Sequence, residues 1–140
     1  MLGIASSVGA SPPMIAQDVV DIAKTLPVVY NGHLPKLYAD LMDDDVEVYR
    51  EGKLVSAGRQ ALIQIAKQEF KDGRKLEVVQ TTVGNGRITL TALQSERCVQ
   101  PSTCEAIPVP VLFIYDVKDN RINKIQEFSG GSYIQGKGLN

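Results

Sequence analysis

Apolar residues recur at helical spacing near the start of the chain, where Ile15, Val19, Ile22, Ala23 and Leu26 share one face. Ser11-Pro12-Pro13 supplies an N-cap and a first-turn proline for that helix. Pro27 would clash with the carbonyl of Ala23, so the helix is expected to kink or end there, with Val28-Val29-Tyr30 as a bent last turn before Asn31-Gly32. A second helix shows Leu34, Leu37, Tyr38 and Leu41 on its face and Pro35 near its first turn. Asp43-Asp44-Asp45 marks its exit, because carboxylates at that end oppose the helix dipole. Strict alternation over 46–51 predicts a strand, followed by a Gly52-Lys53 turn and a short extended stretch over 54–57. Helical period then returns in Leu62, Ile65, Ala66 and Phe70, on a third helix that opens after Gly58 and is closed by Asp72-Gly73. Strands fill the remainder. Residues 76–83 and 87–97 are joined by Gly84-Asn85-Gly86, and residues 109–117 and 121–128 by Lys118-Asp119-Asn120. This order predicts an α+β fold in which three N-terminal helices pack on a curved antiparallel sheet.

Composition narrows the classes. The chain has 140 residues, 44% hydrophobic and 22% charged, which suits one domain over 1–140 with a flexible arm at 1–12 and a loose tail at 130–140. Its formal net charge is -1 and it has no basic run, so it carries no electrostatic footprint for nucleic acid or an anionic membrane. The longest apolar run, 109–115, is far shorter than the roughly 20 residues of a spanning helix. Residues 1–12 hold no Lys or Arg and therefore no basic n-region, which leads us to expect a cytoplasmic protein. One His and two Cys cannot build a typical zinc site, and no glycine-rich phosphate loop occurs, so neither metal nor cofactor is expected. Cys98 and Cys104 flank a Pro101 turn that would let them face each other as a disulfide; two free thiols is the other reading.

Specific residues carry a resemblance. Leu41-Met42-Asp43-Asp44-Asp45-Val46-Glu47-Val48, Gly58-Arg59-Gln60-Ala61 and Asp119-Asn120-Arg121-Ile122-Asn123-Lys124-Ile125 resemble the NTF2-like superfamily, a cone-shaped fold. Ketosteroid isomerases, SnoaL-like polyketide cyclases and limonene-epoxide hydrolases share that fold. The resemblance covers about residues 15–129. It implies an apolar pocket between the helices and the concave sheet face, and often a dimer.

Strand parity selects the candidate lining. Val48 and Arg50 share a face, as do Asn123, Ile125 and Glu127. By the resemblance, Glu127 stands where the epoxide hydrolases place a last-strand carboxylate, and Arg50 stands near a polar pocket position. Thr89, Thr91 and Leu93 would face inward by the same alignment, although the epoxide hydrolases carry an Arg and an Asp where Thr91 and Leu93 stand here. The isomerase carboxylates are likewise replaced, by Arg50 and Leu112. Tyr30 and Tyr38 would cover the pocket from helices, and Leu112 and Ile114 would line it. Phe113 and Tyr115 would then face outward and favour a homodimer through the outer sheet face. His33 suits capping or exposure. A solvated edge-strand carboxylate is the other reading of Glu127, and a solvated turn the other reading of Arg50.

Two functions follow from different classes. The first is a cofactor-independent small-molecule enzyme, an isomerase, cyclase or dehydratase, acting on a largely apolar substrate such as a polyketide or terpenoid. Glu127 would move the proton, and Arg50 would stabilise charge. The alternative is a non-catalytic ligand-binding or dimerisation module of the same fold.

Overall fold

The structure, a computed structural model, describes residues 13–95 and 108–129, with side chains of the first helix described from Val19 onward. Among these residues the elements run α1 (Pro13–Asn31), α2 (Pro35–Asp40), β1 (Met42–Arg50), β2 (Lys53–Ala57) and α3 (Arg59–Lys71). They continue as β3 (Lys75–Gly84), β4 (Arg87–Ser95), β5 (Val109–Lys118) and β6 (Arg121–Ser129). The predicted Ser11 cap, the 1–12 arm, the Cys98 and Cys104 pair and the 130–140 tail lie outside the described residues.

The α+β class holds, with two corrections to its detail. Of the helices among the described residues only α1 and α3 are substantial, and the sheet is not wholly antiparallel; α3 lies between β2 and β3, as the order of elements predicts. The sheet order is β2-β1-β6-β5-β4-β3, and it is antiparallel except where β6 lies parallel to β1. The β2 hairpin occupies one side of β1, and the last strand of the meander takes the other.

Pro27 does not stop α1, which runs on to Asn31. The proline removes one backbone bond, but Val29 and Tyr30 continue the stripe of Val19, Ile22, Ala23 and Leu26 into the core, and that burial outweighs the loss. The acidic run is not a helix exit either. The N–H of Ile122 donates to the Leu41 carbonyl at 2.9 Å, and Met42 pairs with Ile122, so β1 begins ahead of the three aspartates. Leu34 and Leu37 stay exposed, and α2 instead buries Tyr38 and Ala39.

The turns follow the sequence, except that the one expected at Gly52-Lys53 is formed by Glu51 and Gly52, with Lys53 opening β2. Glu51 and Gly52, and likewise Asp119 and Asn120, have positive φ at both positions of two-residue hairpin loops, the type I′ pattern. Gly58 opens α3 at φ 95° and ψ 151°, a region open essentially to glycine alone, with its N–H donating to the Val46 carbonyl at 2.8 Å. Gly58→Ala is expected to cost about 1–3 kcal/mol from backbone strain. Steric clash adds nothing, because the nearest atom to a new Cβ is the Asp44 carbonyl at 4.0 Å. Urea unfolding reads the loss, and an unshifted midpoint would refute it.

At the other end of α3 the Gly73 N–H bonds the Phe70 carbonyl and the Arg74 N–H bonds the Glu69 carbonyl, both at 3.0 Å. This is a Schellman closure, with Gly73 at φ 77° supplying the left-handed residue. It returns the chain so that Arg74 lies against Glu69. The side-chain amide of Asn31 pairs with both backbone groups of Leu76 at 2.8 Å, tying the end of α1 to β3. His33 is half-buried, with its Nε2–H donating to the Arg74 carbonyl at 2.8 Å and its ring stacked on Phe70. The lone histidine is thus a clamp between α1 and the end of α3.

The core sits on the concave face. Ile88, Leu90 and Ala92 of β4 and Val111, Phe113 and Tyr115 of β5 meet α1 and α3 there. Among the described residues no helix is long and apolar enough to cross a membrane.

Candidate functional site

Arg50 is the last residue of β1, and its register partner on β6 is Glu127. Adjacent parallel strands point register partners to one side, so both side chains reach the concave face. The Nε–H of Arg50 donates to Glu127 Oε1 at 3.2 Å. Its Nη2 reaches Glu69 Oε2, from α3, at 2.5 Å. Glu69 is further held by Arg74 Nη1 at 2.9 Å and by the Tyr30 hydroxyl, which donates to Oε1 at 2.7 Å. The result is a neutral cluster of two glutamates and two arginines set into an apolar wall. Side-chain exposure is 12% for Glu69 and 13% for Glu127, against 35% for Arg50, so the arginine marks the route to solvent.

The two carboxylates differ in how they are satisfied. Both oxygens of Glu69 accept bonds. Glu127 accepts one long bond on Oε1, and among the described residues its Oε2 accepts none. Burial pushes the Glu127 carboxyl above its ordinary range and the charge of Glu69 adds to that, while Arg50 and Arg74 oppose it without prevailing. For Arg50, burial favours losing the proton, but Glu127 and Glu69 outweigh it and the guanidinium is held more firmly charged. Burial, followed by the charge of Glu69, pushes the phenols of Tyr30 and Tyr38 far above their usual value, so both remain neutral donors. Burial does the same to Tyr115, with Tyr38 and Tyr30 as its next contributors.

A cavity of about 20 Å³ lies among Tyr30, Tyr38, Tyr115, Arg50, Glu69 and Glu127, with Val48, Leu62 and Ile125 in its apolar wall. That space is the size one water molecule fills. Among the described residues the hydroxyls of Tyr38 and Tyr115 make no hydrogen bond, although both rings are buried. No group of three His, Cys, Asp or Glu side chains among the described residues is placed to hold a metal ion.

Of the residues expected from sequence, Glu127, Arg50, Tyr30, Tyr38, Val48 and Ile125 are brought together here. Thr91, Leu93 and Leu112 are not. They line a cleft of about 500 Å³ on the opposite face of the sheet, beside Val79, Pro110 and Phe128. Ile114 shares that outer side, since it opposes Thr89 and lies two residues from Leu112. The reason is parity. Ile88, Leu90 and Ala92 are buried and pair with Tyr115, Phe113 and Val111, so the alternate residues Thr89, Thr91 and Leu93 must point outward. Phe113 and Tyr115 therefore stack inside, at 5.8 Å, and are not the outward aromatic pair expected from sequence.

Glu69 was missed by the sequence reading. The signal was present, because Glu69 is four residues beyond Ile65 and seven beyond Leu62, on the buried stripe of α3. A charged residue at an apolar-face position is the kind of local conflict that marks a site.

Searches of family models and of curated proteins find no match to the chain. Solved structures do match. An epoxide hydrolase/cyclase-like enzyme, SalBIII, described in pyran ring formation in the polyether salinomycin, is similar over 83% of this chain and 93% of its own, with TM-score 0.73 and 12% identity. An LEH-like epoxide hydrolase from M. tuberculosis matches over 89% and 90%, with TM-score 0.72 and 11% identity. An NTF2-like protein of unknown function from Mesorhizobium loti matches over 81% and 92%, with TM-score 0.66 and 20% identity. At these identities the likeness is one of architecture, and that architecture is the NTF2-like fold.

Proposed function

We propose that the chain is a cofactor-independent enzyme that relocates a proton on a small, largely apolar molecule, in an isomerisation, cyclisation or dehydration. One observation carries this: Glu127 combines burial and a raised proton affinity with an oxygen that has no partner among the described residues, at a cavity wall that also presents two tyrosine hydroxyls with none among them. In the isomerase form, Glu127 takes a proton from a carbon beside a carbonyl. The Tyr38 hydroxyl and Arg50 stabilise the oxyanion that forms, and Glu127 returns the proton at a second carbon. Atoms balance without a co-reactant.

Substrate must displace the water-sized space, and α2 is the element best suited to move. It has six residues, no side-chain cap, an exposed leucine within it (Leu37) and another just ahead of it (Leu34), and it carries Tyr38. Outward movement of α2 and Arg50 opens the cavity along its partly exposed side.

The test is proton exchange. The purified chain is incubated in D₂O with a panel of apolar cyclic ketones and hydroxyketones, and each product is weighed by mass spectrometry. At least one is expected to gain a single deuterium at a carbon, with half-maximal exchange at a pH above the ordinary glutamate range. An apolar molecule that is held by the protein but never exchanges would instead establish the ligand-binding alternative.

A further inference from the structure

Glu69 has no part in the proton transfer just described, yet it is the most heavily bonded side chain of the cluster. We infer that Glu69 is a positioning residue: it holds the Nη2 end of Arg50, so that one guanidinium is divided between two carboxylates and Glu127 is left with the Nε edge alone. The inference rests on the reading of Glu127 as the proton carrier.

Arginine and a carboxylate ordinarily pair through two parallel bonds, and that arrangement would fix Glu127 as a permanent anion. Here the second arm is engaged elsewhere. Arg50 Nη2 bonds Glu69 Oε2 while Nε bonds Glu127 Oε1 at 3.2 Å, so the two edges of the guanidinium serve different carboxylates. Glu69 cannot follow Arg50 toward β6, because Tyr30 holds its other oxygen at 2.7 Å and Arg74 holds the shared one at 2.9 Å. Arg74 is itself anchored, through the Schellman closure and the His33 contact to its carbonyl. The anchor therefore reaches from α1 through α3 to the site. The groups that face Glu127 are Arg50 on β1, Glu69 on α3, Arg74 just beyond it, Tyr30 on α1, Tyr38 on α2 and Tyr115 on β5.

Two variants are expected to move Glu127 in opposite directions. Glu69→Gln frees Arg50 to pair fully with Glu127 and removes a neighbouring negative charge, and both effects favour the ionised form. Arg74→Gln leaves Glu69 with Arg50 as its cation, draws Arg50 further from Glu127 and removes a positive charge, and both effects favour the protonated form. The readout is the carboxyl titration of Glu127 by NMR on ¹³C-glutamate-labelled protein, assigned with Glu127→Gln. Its midpoint should fall by about one pH unit or more in Glu69→Gln, and should rise in Arg74→Gln. The pH at which deuterium exchange sets in should move with it.

A merely structural role would loosen the fold in both variants without sending one midpoint down and the other up. No movement, or movement in one direction only, overturns the inference. If Glu69→Gln does not unfold cooperatively, Arg74→Gln decides alone: a rise supports the inference, and a fall or no change ends it. Turnover that survives in Glu127→Gln would refute the proton-carrier reading and leave these titrations standing, so the two failures are distinguishable.

Discussion

Glu127→Gln is expected to lower turnover about 10²–10⁴-fold, the range for loss of a positioned proton-transfer group. The substitution keeps shape and leaves an oxygen for the Arg50 Nε–H, so the cluster's geometry survives while the transferable proton does not. Stability should separate from activity. The folded-state affinity of Glu127 for its proton is raised, chiefly by burial, with Glu69 adding and Arg50 opposing. A group shifted that way contributes stability fully below its unfolded pKa, about 4.3, and that contribution is lost as pH rises through the folded value. The wild type should therefore weaken across the window above about pH 4.3, where Glu127→Gln should stay level. Rates on the exchanging substrate and urea curves from pH 4 to pH 8 measure both effects. A variant that retains turnover within tenfold of wild type would remove Glu127 from the chemistry.

What the sequence made legible follows from how local each signal is. The type I′ turn at Asp119-Asn120, the Gly58 start and the Gly73 stop of α3 are encoded within a few residues and form where the sequence puts them, while the turn expected at Gly52-Lys53 forms one residue earlier, at Glu51-Gly52. The pair Arg50 and Glu127 was also accessible, because parity within one strand fixes which residues share a face. What failed needed information from another element. The inward assignment of Thr91 and Leu93 came from an alignment, and a one-residue offset turns every side chain of a strand over. The apolar alternation Ile88, Leu90 and Ala92 argued the other way and was the better guide. The extension of α1 through Pro27 depends on burial of Val29 and Tyr30 by neighbours distant in sequence. Glu69 was hidden for a related reason. A helix pattern counts apolar residues, and this position registers only as a gap until Arg50, Arg74 and Tyr30 converge on it.

Arg50→Met tests the cluster as a physical unit and should be the most destabilising change in it. Glu69 keeps Arg74 and Tyr30, but Glu127 loses its ion-pair partner while remaining 13% exposed. Breaking a fully buried pair on one side costs about 3–5 kcal/mol. Arg50 keeps a third of its side chain in water, so the expected loss at pH 7 is smaller, about 2–3 kcal/mol. The sign of its pH dependence identifies the cause. Without the guanidinium, the proton affinity of Glu127 rises further above its unfolded value, so the deficit should shrink as pH falls and the buried carboxyl takes up its proton, and widen as pH rises. Adding Glu127→Gln to Arg50→Met removes the stranded charge, and the double variant should recover more than half of the loss at pH 7. Urea unfolding of the two single variants and the double variant supplies the cycle. A deficit that is independent of pH and not relieved in the double variant would mean that Arg50 stabilises through packing of its stem, and that its charge is not shared with Glu127 in the manner on which the proposed proton transfer depends.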